Sequence, residues 1–353
     1  MFKKKTEQKL MSLLERAQSV RVADDGRWVI WSDLHLGDGG KRDDFAPNSN
    51  LFYRVLVEHY YERGFNVVLN GDIEELQKFS LKKIVMRWRN IYKVLQKLQK
   101  QNKLFKIYGN HDFKLSKLKK QPFGLDVCDT LKLDFHHNSL LLFHGHQASF
   151  FSNKFRHLID FGLRFIANPL GIKNYSVAYN NRKKFKLEQI YYDFAMRHKL
   201  LALIGHTHRP LFESRSKIDS LKVEIDQMCR LYAESGPKER QELEKRIKDF
   251  KEELVKLQKR QKGKYEYASL YHLDPLVPCL FNSGCAIGPA GITSLEIEDG
   301  EIRLIYWFDS QRSQKYFDMA ADQPQQLPDS NYYRVVLKSE PLDYIFSRVR
   351  LLA

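Results

Sequence analysis

Six times along this chain a short apolar run, rich in β-branched or aromatic residues, stops at a polar cluster of Asp, His or Asn. Trp28–Trp31 runs into Asp33-Leu34-His35, and Asn66–Leu69 into Gly71-Asp72. Leu104–Tyr108 reaches Gly109-Asn110-His111-Asp112, and Leu140–Phe143 reaches His144-Gly145-His146. Leu200–Ile204 meets Gly205-His206-Thr207-His208, and Leu280-Phe281 meets Asn282-Ser283-Gly284. Apolar runs this short, bounded by glycine, read as strands buried on both faces. Between two of them Leu81, Ile84, Val85, Trp88, Ile91, Tyr92, Leu95 and Leu98 follow helical spacing, with lysines and arginines on the other faces. Strands that alternate with helices predict an α/β fold, and in open α/β sheets sites gather beyond the carboxyl ends of the strands. The polar clusters fall at those ends.

The 353 residues allow one large domain with insertions, or two domains. At 43% hydrophobic and 13% aromatic residues the chain can build a sizeable core, which excludes wholesale disorder. No apolar run approaches the ~20 residues that span a bilayer. Met1–Lys5 is basic and lacks the apolar stretch of a secretory signal. Cys128, Cys229, Cys279 and Cys285 share no CxxC spacing and read as reduced thiols. A cytoplasmic protein is expected, peripheral at the membrane if lipid is its substrate.

The net charge of +16 is unevenly placed. From Leu76 to Lys120 there are fourteen Lys and Arg against one acid, Asp112; Ser149–Leu200 holds ten basic residues and three acidic ones. One-signed segments point to an anionic partner: a phosphorylated substrate, nucleic acid or an acidic membrane. Ile218, Leu221, Ile225 and Met228, then Leu243, Ile247, Phe250, Leu254 and Leu257, predict an antiparallel helical hairpin with Ser235-Gly236-Pro237 at its turn. Phe150–Ile172 interleaves aromatic residues with Lys154, Arg156 and Arg164. It reads equally as an ordinary amphipathic helix or as a lid over an acyl chain. Ile292–Ile297, Asp299-Gly300 and Ile302–Trp307 predict a β-hairpin.

Imidazole and carboxylate donors together suit zinc, iron or manganese, and the lack of clustered thiolates argues against a Cys-rich structural zinc site. The clusters hold more donors than one ion needs, and suit two ions that share a carboxylate.

The ordered set Asp33-x-His35, Gly71-Asp72-Ile73-Glu74-Glu75, Gly109-Asn110-His111-Asp112, His144-Gly145 and Gly205-His206-Thr207-His208 resembles the calcineurin-like metallophosphoesterases. The resemblance spans about Trp28 to His208, with Asn282-Ser283-Gly284 and the following hairpin similar to the family's C-terminal half. It implies a layered α/β/β/α sandwich of mixed sheets flanked by helices, here with an inserted helical hairpin. It further implies two divalent or trivalent ions (Mn, Fe or Zn), one on Asp33, His35 and His208, the other on Asn110, His144 and His206, with Asp72 bridging. His146 competes with His144 at the fourth motif. His111 would face the leaving group rather than bind metal, partnered by Glu75, where the family has Asp, or by Asp112. The reaction implied is hydrolysis of a phosphoester or pyrophosphate by in-line attack of metal-activated water.

Ser32–Leu36 and the aromatic, cationic stretch after His144-Gly145 also resemble the UDP-2,3-diacylglucosamine pyrophosphatases. His111 departs from that branch, whose best-known members carry Arg there. The expected partner is an anionic phosphorylated substrate, with a lipid or acidic membrane surface next, nucleic acid less favoured, and the hairpin open to protein or self-association. A nuclease or nucleotide phosphodiesterase is the alternative, and a non-catalytic scaffold the third reading. The expected organisation is a basic helical segment over 1–25, a catalytic domain over 26–212 and 268–312, the inserted hairpin over 213–267, and a linker and tail over 313–353.

Overall fold

The apolar runs become strands, and their clusters become the loops that leave them. The computed structural model describes residues 2–119, 121–147, 181–212, 236–261, 277–289, 291–314 and 323–353, together with 225, 228, 229, 232 and 317. In chain order, α1 (Phe2–Glu15) leads into β1 (Gln18–Arg21) and β2 (Trp28–Trp31). Helix α2 (Ser49–Arg54) continues as a π-helical turn, Val55–Tyr61, before β3 (Asn66–Asn70). Helices α3 (Leu81–Arg87) and α4 (Arg89–Lys100) precede β4 (Leu104–Ile107), β5 (Leu131–Phe135) and β6 (Asn138–Leu142). Then come α5 (Asn181–Arg197), β7 (Leu201–Ile204), α6 (Pro237–Gln261), β8 (Leu280–Asn282), β9 (Gly291–Glu298) and β10 (Glu301–Asp309). The chain ends in β11 (Gln325–Gln326), β12 (Tyr332–Pro341) and α7 (Leu342–Leu352).

Two mixed sheets result, flanked by helices. One has seven strands in the order β11-β12-β10-β9-β2-β3-β4, the other five in the order β1-β5-β6-β7-β8. Strands β2, β3 and β4 run parallel, as do β6, β7 and β8. Every residue of β2 and of β7 is buried, as expected for strands covered on both faces. Val29, Trp31, Val67 and Leu69 pack into one core with Ile84, Trp88, Ile91, Tyr92, Leu95 and Leu98 of α3 and α4. The sheets meet through Asn70, whose buried Nδ2 donates to the carbonyls of Phe143 (3.2 Å) and Leu203 (3.4 Å). The expected β9–β10 hairpin forms, with Asp299 (φ 54°) and Gly300 (φ 73°) in the left-handed region that a tight two-residue turn requires.

The structure departs from expectation at two elements. The helical pattern from Leu81 to Leu98 is broken at Trp88 (φ −102°, ψ 28°). The indole Nε1 of Trp88 donates to the carbonyl of Gly37 (2.9 Å), and that side chain is aimed by ending one helix and starting another. After Ala320–Ser330, read from its polar, Pro-containing sequence as a linker before a short final element, the chain forms a ten-residue strand and a helix. Strand β12 pairs with β10 along its length, and Arg334 on it forms a buried ion pair with Glu296 of β9. Tyr60 donates to the same carboxylate (2.6 Å) and accepts from Trp307 Nε1 (3.0 Å). Phe346 of α7 then meets Phe135 of β5 at 5.8 Å between ring centroids, so the C-terminal elements touch both sheets.

By its contacts the chain divides into two compact units, and residues 213–278 belong to the second. Helix α6 carries Pro237 in its first turn, as the sequence predicts, and Tyr232 donates to Glu244 (2.6 Å) within this unit. Most of the expected first arm, Ile218–Met228, and all of the Phe150–Ile172 segment lie outside the described residues.

Candidate metal centre

All five predicted motifs converge on the loops that follow β2, β3, β4, β6 and β7. Asp33, His35 and His208 form one group of potential ligands, and Asp72, His144 and His206 another. In the first, His208 Nε2 lies 3.1 Å from Asp33 Oδ1 and 3.2 Å from His35 Nε2. In the second, His144 Nε2 lies 3.0 Å from Asp72 Oδ2. Five of these six residues, Asp33 (φ 54°), His35 (φ 51°), Asp72 (φ 53°), His206 (φ 65°) and His208 (φ 54°), sit in the left-handed region. The loops must fold back sharply to aim the side chains at one point, and short polar residues tolerate that conformation best.

Close approach also depends on two glycines. A Cβ on Gly109 would collide with the Asp72 carboxylate, and one on Gly71 (φ 84°) would come 2.5 Å from the His144 ring. Hydrogen bonds then orient two of the rings. His144 Nδ1 donates to the carbonyl of Asn70 (2.9 Å), which turns Nε2 toward Asp72. His35 Nδ1 lies 3.1 Å from Glu75 Oε2, so its Nε2 faces His208. Asp33 Oδ2 accepts from the backbone of His206 (2.9 Å), and Asp72 Oδ1 from the backbone of His111 (2.7 Å).

The donors fit cations. Asn110 Oδ1 and His206 Nε2 are buried and lack a hydrogen-bond partner, although buried polar atoms are nearly always satisfied. Burial alone would raise Asp33, but His208 and His144 outweigh it and bring its carboxyl down to about 2. Burial likewise opposes ionisation of Asp72, and His144 and His111 hold it well below the ordinary carboxylate range. His206 is pushed down to about 3 by burial and by neighbouring His144, which keeps it neutral. The His144 ring resists charge because it is buried, yet Asp72 and Asp33 raise it to about 9. The field that draws a proton to that nitrogen would draw a cation equally well.

His111 stands beside these groups with a different set of contacts. Its Nδ1 lies 2.8 Å and 2.9 Å from the two oxygens of Glu75, and its Nε2 is 3.9 Å from Asp72 Oδ2. Burial works against the charged ring, but Glu75 and Asp72 prevail and raise His111 to about 10. Glu75 is therefore the partner of His111. Asp112 is not: its carboxylate accepts from the backbone of Gly109 (2.5 Å) and Ile73 (2.7 Å), fully buried. Through those two bonds Asp112 braces the loop that carries Asn110 and His111. His146 is buried but joins neither group; its ring centroid is 5.7 Å from that of His144.

One supporting residue has no signal in the sequence. Glu188 of α5, only 4% exposed, accepts from Thr207 Oγ1 (2.9 Å) and pairs with Arg209. Thr207 in turn accepts from Asn282 Nδ2 (2.9 Å), which also donates to the Gly205 carbonyl (3.0 Å). Thr207 lies between two ligands with left-handed backbones, so Glu188 and Asn282 hold His206 and His208 in place.

No protein-family model matches the chain, and no curated protein matches it. Two solved structures are similar in part. A conserved uncharacterized protein of Streptococcus pneumoniae, titled a predicted phosphoesterase, is 12% identical with a TM-score of 0.29, covering 80% of this chain and 89% of its own. A single mutant of Vps29 from Entamoeba histolytica is 13% identical with a TM-score of 0.31, covering 88% of this chain and 99% of its own. Likeness at that level carries no functional argument. The chemistry rests on the site.

Proposed function

We propose that this protein is a dinuclear-metal-dependent phosphoesterase. The single observation that carries the reading is the meeting of two candidate ligand groups, Asp33-His35-His208 and Asp72-His144-His206, beside the His111 ring held by Glu75. Asp33, His35 and His208 would hold one ion and Asn110, His144 and His206 the other, with Asp72 shared; manganese, iron and zinc all suit these donors. When bound, such ions supply positive charge to phosphate oxygens and lower the pKa of water to near ~7.

The chain's own groups account for the remainder. His111 carries a proton at Nε2 and presents it to the departing oxygen as the P–O bond breaks. Glu75, on Nδ1, keeps that ring charged and oriented. Attack by water in line with the departing group then needs no phosphoenzyme. A lipid-linked or nucleotide-sugar pyrophosphate is the favoured substrate class, supported by the resemblance of Ser32–Leu36 and of the cationic region after Gly145. The basic segments favour a nuclease as the second reading.

The test is turnover by purified protein supplied with Mn²⁺, Fe²⁺ or Zn²⁺. The substrates are nitrophenyl mono- and diesters, nucleotides, sugar nucleotides, lipid phosphates and single-stranded nucleic acid. Hydrolysis in wild type that is lost in Asp72→Asn, with two metal equivalents in wild type alone, is the expected result. Wild-type protein that binds two metals yet turns over none of the panel would overturn the reading.

A further inference from the structure

Between Glu75 and Asp112 the chain carries ten Lys and Arg and no acidic residue. Three of the ten are satisfied locally: Lys106 is buried against Glu74, Lys78 pairs with Asp44, and Lys103 donates to the carbonyl of Gly64 (2.9 Å). Helices α3 and α4 bury their apolar stripe beneath the seven-stranded sheet. Their outer side presents Lys82, Lys83, Arg87, Arg89, Lys93 and Lys97, all exposed. Lys83–Arg87, Arg89–Lys93 and Lys93–Lys97 are like-charged pairs at i,i+4 spacing, which cost helix stability. A face that bears this cost without interspersed acids differs from an ordinary solvated helix, where both signs alternate. Helix α6 shows the ordinary case, with Glu244, Asp249 and Glu252 among its lysines.

Two further features give this face a direction and a chemistry. It begins at the rim of the metal centre: Lys78 Nζ is 3.9 Å from Glu75 Oε2, and the Arg87 side chain packs against Gly39, four residues past His35. Among its cations stands Met86, 69% exposed, and the turn after His111 leads to Leu118, 42% exposed between Lys117 and Lys119. No exposed large aromatic lies in this segment on which a nucleic-acid base could stack. Lysines and arginines around an exposed aliphatic side chain suit a lipid interface, with phosphates at the cations and the aliphatic group at the acyl boundary.

We propose that the outer face of α3 and α4 docks this protein on an anionic bilayer, setting the rim of the metal centre near the lipid surface. The partner is thereby named for the phosphoesterase reading, on which only the purpose of docking rests. The test is co-flotation of the full chain with vesicles of phosphatidylcholine, alone or mixed two to one with phosphatidylglycerol, at low and high salt. Turnover of a soluble nitrophenyl ester is measured on the same samples.

Wild type is expected to float with the anionic vesicles only, less so at high salt. Each cation near an anionic surface contributes about fivefold in partition, so Lys82→Gln/Lys83→Gln/Arg89→Gln/Lys93→Gln should lower it by ~10²–10³. Its soluble turnover and circular dichroism should stay unchanged. Lys245→Gln/Lys248→Gln/Lys251→Gln on α6 should float as wild type does. Docking is overturned by equal flotation with neutral vesicles, by a quadruple variant that floats undiminished, or by an equal loss in the α6 variant. It is overturned too if the face retains a DNA or RNA duplex and no vesicle. Wild type that floats but hydrolyses nothing would sink the phosphoesterase reading and leave docking standing; turnover without flotation would do the reverse.

Discussion

Against its burial, the His111 ring is drawn toward its protonated form chiefly by Glu75, with Asp72 adding to the pull. Glu75→Gln preserves a hydrogen bond to Nδ1 but removes the negative charge that outweighs burial, so His111 should fall from about 10 toward or below its ordinary range. Because the protonated ring is the useful form, activity is lost as pH rises through its pKa. The alkaline limb of the pH–rate profile in Glu75→Gln should therefore move to lower pH, and an unmoved limb would show that His111 is not the acid. His111→Gln should slow alkyl esters by ~10²–10⁴-fold and nitrophenyl esters much less, since nitrophenolate departs without a proton. Equal slowing of both would remove the leaving-group role. Glu188→Gln should weaken metal binding by ~10-fold or more, measured by titration calorimetry, because partners behind the ligands set their orientation. The ligand positions are legible in the sequence because each motif is a short spacing at a strand end. Glu188 is not, because it reaches Thr207 from a helix through space. The choice between Glu75 and Asp112 needs coordinates, since adjacency along a turn says nothing about side-chain direction.

Elements show the same division. The strands are readable from apolar runs, and the β9–β10 turn from Asp299-Gly300. The break at Trp88 is hidden because the apolar spacing continues through it; only the indole's bond to Gly37 betrays it. Strand β12 has a signature in Tyr332-Tyr333-Arg334-Val335-Val336, an alternating β-branched and aromatic run, but its placement has none. That depends on Arg334 finding Glu296. The π-helical turn carries a testable consequence of its own. His59 is pushed down to about 4 by burial, against the pull of Glu296, and Arg63 donates to its Nε2 at 2.8 Å, a bond only the neutral ring accepts. The unfolded chain would take up a proton near 6.5, so stability should fall as pH drops from ~6.5 toward ~4, by roughly 2–3 kcal/mol. His59→Gln should flatten that part of a urea-denaturation profile.

For the whole molecule, the relation between the two-sheet body and residues 213–278 decides what can be removed. Leu211 and Asn282 exchange both backbone hydrogen bonds (3.0 Å and 2.9 Å), so the chain leaves and rejoins the body at nearly one place. Replacing 213–278 with a short Gly-Ser bridge should keep nitrophenyl ester turnover within about twofold, since none of that unit's described residues joins a candidate ligand group and loop length costs little. A folded but inactive product would assign the hairpin to the site. The hairpin's periodicity is plain in the sequence, whereas residues 313–330 lack any period and so obscure the strand and helix beyond them. The left-handed backbone at Asp33, His35, Asp72, His206 and His208 reaches beyond catalysis. At about 1 kcal/mol each, these conformations tax folding, and glycine would adopt all five freely. Laboratory evolution for heat tolerance alone should accordingly discard these five side chains before it touches the core, so a thermally hardened descendant would be the sturdier protein with the barer loops.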